Sequence, residues 1–107
     1  MKNNVYGYAR VSTPQQSLDR QIRNIQDFSK DAKIYADVYS GRTMDRPEFI
    51  KLLKKVQTGD TIIFDEVSRM SRNAEEGFEL YQELFDNGIE LIFLKERYID
   101  TDNYRKA

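Results

Sequence analysis

The chain has 107 residues, with 17 Lys and Arg against 18 Asp and Glu, and no His, Cys or Trp. That length fits one small domain, and the missing Cys and His exclude a disulfide framework, a thiolate nucleophile, Cys-ligated metal centres and the usual imidazole base. No run approaches the roughly 18 apolar residues of a membrane span, and Met1-Lys2-Asn3-Asn4 does not open a signal peptide, so the chain reads as soluble and cytoplasmic.

The net charge of −1 hides a split. Residues 1–72 carry 13 basic and 9 acidic groups, whereas residues 73–102 carry 2 basic and 9 acidic. Such asymmetry marks either an anion-binding half or one acidic, solvated helix face. Glu75, Glu76, Glu79 and Glu83 fit the solvated face, which phosphate would avoid.

Val5 to Ala9 is a β-prone run leading into Arg10-Val11-Ser12-Thr13. Thr13 before Pro14 has the pattern of an N-cap with Pro at the first helical position. Leu18, Ile22, Ile25 and Phe28 then recur at helical spacing, predicting a helix over 14–30. Ile34 to Tyr39 predicts a second strand, and Ser40 to Arg46 a polar loop. Asp45 and Pro47 open a second helix with Phe49, Leu52, Leu53 and Val56 inward, closed by Gly59-Asp60. Thr61 to Phe64 is a continuous apolar strand of the kind buried on both faces of a parallel sheet. A third helix is expected over about 73–87, placing Phe78, Tyr81, Leu84 and Phe85 in the core with Gly88 as its stop. Ile89 to Leu94 predicts a fourth strand, and Asn103 to Lys106 the start of another helix.

Strands alternating with helices imply an α/β fold: an open, mainly parallel sheet of four to five strands with helices on both faces. Ligands bind such sheets beyond the carboxyl ends of the strands. There the chain gathers Arg10, Arg42, Arg46, Arg69 and Arg72, five of its nine Arg, and none of its eight Lys. Arg offers planar, bidentate donors suited to phosphate oxygens, with a charge that does not titrate away. Ser12 beside a helix start adds a hydroxyl near backbone N–H donors. The pattern points to phosphoryl chemistry with Ser12 as nucleophile and Arg charge stabilising a pentacoordinate phosphorus. Solvated loop Arg and a capping Ser12 are the plainer alternative.

Tyr8-Ala9-Arg10-Val11-Ser12-Thr13, followed by Gln15-Gln16-Ser17-Leu18-Asp19 and Gln21, resembles the opening of the serine recombinases of the resolvase/invertase group. Ser40-Gly41, Asp45-Arg46-Pro47, Gly59-Asp60 and Ser68-Arg69-Met70-Ser71-Arg72-Asn73 extend the resemblance over roughly residues 4–100. It implies a site-specific DNA recombinase core in which Ser12 attacks a phosphodiester, giving a 5′-phosphoserine link and a free 3′-hydroxyl. Strand exchange and religation follow in a tetramer, without ATP, metal or other cofactor. Tyr8, Arg10, Arg46, Arg69 and Arg72 would bind the scissile phosphate. Gln16, Gln21 and Asp37 would orient these groups, and Lys55 would give a weaker supporting contact. Ser68 stands where many small resolvases have Asp, a variant similar to that of large serine integrases and recombinases of mobile elements. It leaves Asp65 and Glu66 as nearby candidates for a general base.

By the same resemblance, residues 1–107 are expected to be a catalytic domain lacking the long dimer helix and DNA-binding region of the family. Partners would be double-stranded DNA and, in the full-length form, a homodimer or tetramer. Two other classes stay open: a non-catalytic regulatory or assembly module of this fold, and a response-regulator-like phosphoacceptor using Asp65. The latter is weakened because strand one ends in Arg and Ser rather than paired acids.

Overall fold

The structure is a computed structural model that describes residues 3–11, 18–38, 46–71 and 73–106. The four β-prone runs form β1 (Val5–Val11), β2 (Lys33–Val38), β3 (Thr61–Phe64) and β4 (Glu90–Phe93). They pair in parallel in the order β2-β1-β3-β4. Helices α1 (Leu18–Phe28), α2 (Pro47–Lys55) and α3 (Ala74–Asp86) lie between successive strands, as parallel neighbours require. A short α4 (Thr101–Lys106) follows, and single 3-10 turns occupy Val67–Arg69 and Arg97–Ile99. The described sheet thus has four strands, all parallel.

Alternation along the strands sorts the core into two layers. Tyr6, Tyr8, Ile62, Phe64, Leu91 and Phe93 pack with Phe49 and Leu52 of α2 and Leu84 of α3. On the opposite face Ile63 packs with Ile25 of α1, joined by Val5, Ile34 and Ile92. Gly7 permits that second contact: a Cβ there would lie 2.5 Å from Ile25 Cγ2 and 2.9 Å from Ile34 Cδ1. At the outer edge of β4, the N–H groups of Leu91 and Phe93 donate to Thr101 Oγ1 (2.9 Å) and Asp100 Oδ1 (2.8 Å). Side chains at the start of α4 thereby close that edge. Among the described residues, no helix is long and apolar enough to cross a membrane.

Sequence expectations and structure differ at several points. The described part of α1 stops at Phe28 rather than residue 30, within the fraying common at helix ends. The Thr13-Pro14 start and Asp45 lie outside the described residues, while Pro47 takes the first position of α2. Asn73 caps α3 by accepting the Glu76 N–H at 2.8 Å, and Gly88 ends it at φ 78°. Phe78 is not core: it is 66% exposed. Six residues at about 100° each place it some 120° round the helix from Leu84, so Gly77, Leu80 and Tyr81 take the inward stripe instead. Phe85 is half-buried, its ring against Tyr104 of α4. Glu75, Glu76, Glu79 and Glu83 are exposed, as their spacing suggests.

Candidate active site

β1 lies between β2 and β3, so the chain reverses its direction of travel across the sheet at the β1–β3 pair. A crevice beyond the carboxyl ends of the strands forms at such a point. Tyr8 is opposite Phe64, the last residue of β3, so Arg10 projects from β1 just beyond the end of that pairing.

The 3-10 turn Val67–Arg69 organises the rim with its backbone. Arg10 Nη2 donates to the Ser68 carbonyl at 2.5 Å. Arg46 Nη2 donates to the Met70 carbonyl at 2.7 Å and to that of Arg69 at 3.3 Å. Three successive carbonyls therefore hold two guanidinium groups from distant segments. Arg69, carried by the turn itself, lies with Nη2 3.8 Å from Glu66 Oε2. The Arg46 guanidinium also stacks on Phe49, 4.0 Å from the ring centroid, with the Tyr8 ring at 5.5 Å. Among the described residues, the Nε–H groups of Arg46 and Arg69 are buried without a hydrogen-bond partner. Leaving a buried donor unpaired costs about 1–3 kcal/mol. One of these donors is carried by the turn and the other belongs to a guanidinium held against it by its carbonyls.

Asp37 lies near the end of β2, 4% exposed. Its Oδ2 accepts the Tyr8 hydroxyl at 2.6 Å and the Phe49 N–H at 3.1 Å, and its Oδ1 the Glu48 N–H at 3.1 Å. One carboxylate thus joins β1, β2 and the N-terminus of α2, where the helix dipole favours negative charge. The N-terminal residue of α2 follows Arg46, so Asp37 fixes the base from which Arg46 reaches the rim. Burial, and next the Asp37 hydrogen bond, push the Tyr8 phenol well above its ordinary range. Tyr8 is therefore a donor and an aromatic wall at neutral pH, not a base. Gln21 of α1 clasps β1 at Arg10, its Oε1 accepting the Arg10 N–H (3.1 Å) and its Nε2 donating to the Arg10 carbonyl (2.9 Å).

Of the acidic candidates, Asp65 is buried, accepts Asn24 Nδ2 at 3.0 Å and lies 3.5 Å from Lys95 Nζ. Glu66 accepts the Ser68 hydroxyl at 2.5 Å and faces Lys95 Nζ at 3.2 Å. The Ser68 hydroxyl, with Lys95 and Arg69 adding to it, holds the Glu66 carboxyl below the usual carboxylate range.

Tyr8, Arg10, Gln21, Asp37, Arg46, Ser68 and Arg69 are thus joined by contacts around one rim. Lys55 is not among them: it is exposed in the last turn of α2, about 12 Å along the helix from Pro47. An α2 that runs back across the sheet carries it away from the strand ends. Ser12, Gln16, Arg42 and Arg72 lie outside the described residues. Sequence reasoning missed the stacking of Phe49, although an aromatic three positions after Arg46 at a helix start is a legible signal. It also missed Lys95, which reaches the site only through the β3–β4 pairing.

The fold is thus a doubly wound parallel sheet with an Arg cluster at its crossover crevice. The chain belongs to the resolvase family: the family model described as Resolvase, N terminal domain, matches residues 5–107. It is 38% identical over 99 residues to the Transposon Tn3 resolvase of Escherichia coli, covering 92% of this chain and 53% of that protein. A resolvase of Clostridium perfringens is 35% identical over 96 residues, covering 89% of this chain and 51% of the relative. The chain thus spans about half the length of these relatives. Among solved structures, a resolvase family site-specific recombinase from Streptococcus pneumoniae matches with a TM-score of 0.74 and 28% identity, covering 94% of this chain and 77% of the other. A serine recombinase from Sulfolobus solfataricus gives 0.69 and 27%, covering 87% and 69%.

Proposed function

We propose that this chain is the catalytic core of a site-specific serine recombinase acting on double-stranded DNA. Ser12 Oγ attacks the phosphorus of a phosphodiester, a P–O bond forms, and the bond to the 3′ oxygen breaks. The Ser12 proton passes to a base, the departing 3′ oxygen takes up one proton and leaves as a hydroxyl, so that no net proton is consumed, and the 5′-phosphate stays on Ser12. Religation is the reverse reaction with an exchanged 3′-hydroxyl, so the phosphodiester energy is conserved and no ATP is consumed. Arg10, Arg46 and Arg69, with Arg72, supply the fixed positive charge that the transition state needs. Tyr8, Gln21 and Asp37 hold these groups in place, with Gln16 expected to do the same beside Ser12.

What supports this most directly is the convergence of Arg10, Arg46 and Arg69 on one turn, with two buried unpaired Nε–H groups, at the strand end two residues before Ser12. The names of the relatives above, resolvases and recombinases, point the same way. The protein would work in the cytoplasm as a homodimer or tetramer. For that contact we favour the apolar groove of about 710 Å³ between the turn at Val67–Arg69, α3 and α4, where Phe78 and Tyr98 are 66% and 77% exposed.

The test uses the full-length protein on a nicked duplex that traps the cleaved strand. A covalent protein–DNA adduct is expected, and Ser12→Ala is expected to abolish it. Unchanged adduct in Ser12→Ala would remove Ser12 as nucleophile. No adduct with the parent protein would favour a non-catalytic module of the same fold.

A further inference from the structure

Position 68 carries a hydroxyl, and a carboxylate, Glu66, stands against it at the same turn. Glu66 is half-buried, its side chain 27% exposed, at the start of the segment whose carbonyls hold Arg10 and Arg46. Its Oε1 takes the Ser68 hydroxyl at 2.5 Å. Its Oε2 lies 3.2 Å from Lys95 Nζ and 3.8 Å from Arg69 Nη2. Lys95, just past β4, is itself shared with Asp65 at 3.5 Å. Nearby, Glu96 is engaged with the backbone, accepting the Val67 N–H at 2.9 Å. The charged groups facing Glu66 are therefore Arg69 from its own turn and Lys95 from the β4 side, with Asp65 beyond Lys95.

The geometry separates a tight contact from a loose one. The short Ser68 bond fixes the carboxylate, while the 3.8 Å approach holds Arg69 by charge without taking its donors. Arg69, whose guanidinium is planar, keeps its donors for a second, anionic acceptor. We propose that Glu66 is a positioning residue of this site, orienting Arg69 toward the scissile phosphate with the Ser68 hydroxyl as its bridge. The Ser68 hydrogen bond and the charges of Lys95 and Arg69 lower the proton affinity of Glu66, which makes it a poor general base. The inference rests on the recombinase reading above and assigns a role within it.

The experiment compares the full-length parent with Glu66→Gln, Glu66→Gln/Ser68→Asp and Ser12→Ala. It follows the rate of adduct formation across pH and the thermal melting of each protein. Glu66→Gln is expected to slow adduct formation about tenfold, the scale of one charge-assisted hydrogen bond, with the pH profile unchanged in shape. Adding Ser68→Asp is expected to restore most of the rate, since it returns a carboxylate to the turn. A Glu66→Gln rate equal to the parent's would overturn the inference. Loss of the acid limb of the profile would also overturn it, by making Glu66 the base. Failure of Ser68→Asp to restore the rate would do the same, as would a lowered melting temperature that accounts for the loss. Absence of any Ser12-dependent adduct in the parent would instead overturn the recombinase reading, and this inference with it.

Discussion

Replacing Asp37 by Ala removes one buried acceptor and strands three donors at once: the Tyr8 hydroxyl and the N–H groups of Glu48 and Phe49. The Tyr8 and Phe49 donors are buried, and each orphaned buried donor costs about 1–3 kcal/mol. Loss of the charge at the N-terminus of α2 adds roughly 0.5 kcal/mol. The total is about 2.5–6.5 kcal/mol, a large share of the roughly 5–15 kcal/mol that holds a small domain folded. Tyr8→Phe deletes only one hydrogen bond, to a charged acceptor, and is expected to cost about 1.5 kcal/mol. The double variant should fall short of the sum by about 1 kcal/mol or more, because both singles remove the same contact. Urea unfolding followed by circular dichroism, with the slope unchanged, reads all three values. Additive single effects, or an Asp37→Ala cost below about 1 kcal/mol, would refute a network centred on this carboxylate.

Further outcomes follow from the same contacts. Burial raises the phenols of Tyr6, Tyr8 and Tyr81 above the ordinary tyrosine value of 10.0, so their folded pKa exceeds the unfolded one. Their stabilisation is complete below pH 10.0 and is lost as pH rises through the folded values, so stability should fall above that point and fall less steeply in Tyr8→Phe. Urea midpoints measured across alkaline pH check it. Gly7→Ala is expected to destabilise by about 1–3 kcal/mol, because the new methyl meets Ile25 and Ile34 in a packed layer. Leu84→Ala should cost about 2–5 kcal/mol and Phe78→Ser under about 0.5 kcal/mol, which thermal melts of the two variants separate.

The β-α alternation was legible because each apolar run has its own period and is bounded by Gly, Pro or Asp. Val5 and Thr61 begin strands where those patterns place them, the fourth strand begins at Glu90 rather than Ile89, and the three-helix order followed. Thr61 to Phe64, apolar throughout, was correctly read as covered on both faces. The rim was legible for a simpler reason: residues just past parallel strands share one edge of the sheet, so Arg10 and Arg69 were bound to meet. Arg46 joined them because it immediately precedes the helix that returns from that edge.

Other parts depended on distances that sequence does not carry. Asp37 was expected in the second strand as an orienting group, and only the packing of α2 on β2 shows that two of its partners are eleven and twelve positions ahead. Lys95 reaches Glu66 across 29 positions through the β3–β4 register. Phe78 looked inward because four aromatic and aliphatic residues of α3 were grouped on one face. The true stripe is narrower and runs through Gly77, whose small size lets α3 sit close to Ser71. Lys55 was placed by resemblance alone, and helix direction puts it at the far end of α2.

The central claim is that Arg46 and Arg69 serve one oxyanion through Nε–H groups left free by the carbonyls of the 3-10 turn. Nuclear magnetic resonance of the arginine Nε–H signals during titration with inorganic phosphate tests it directly. The signals of Arg46 and Arg69 should move together with a single affinity, and Arg46→Gln should remove the response of Arg69. Independent responses of the two signals, or none at phosphate levels that shift exposed Arg105, would contradict the account.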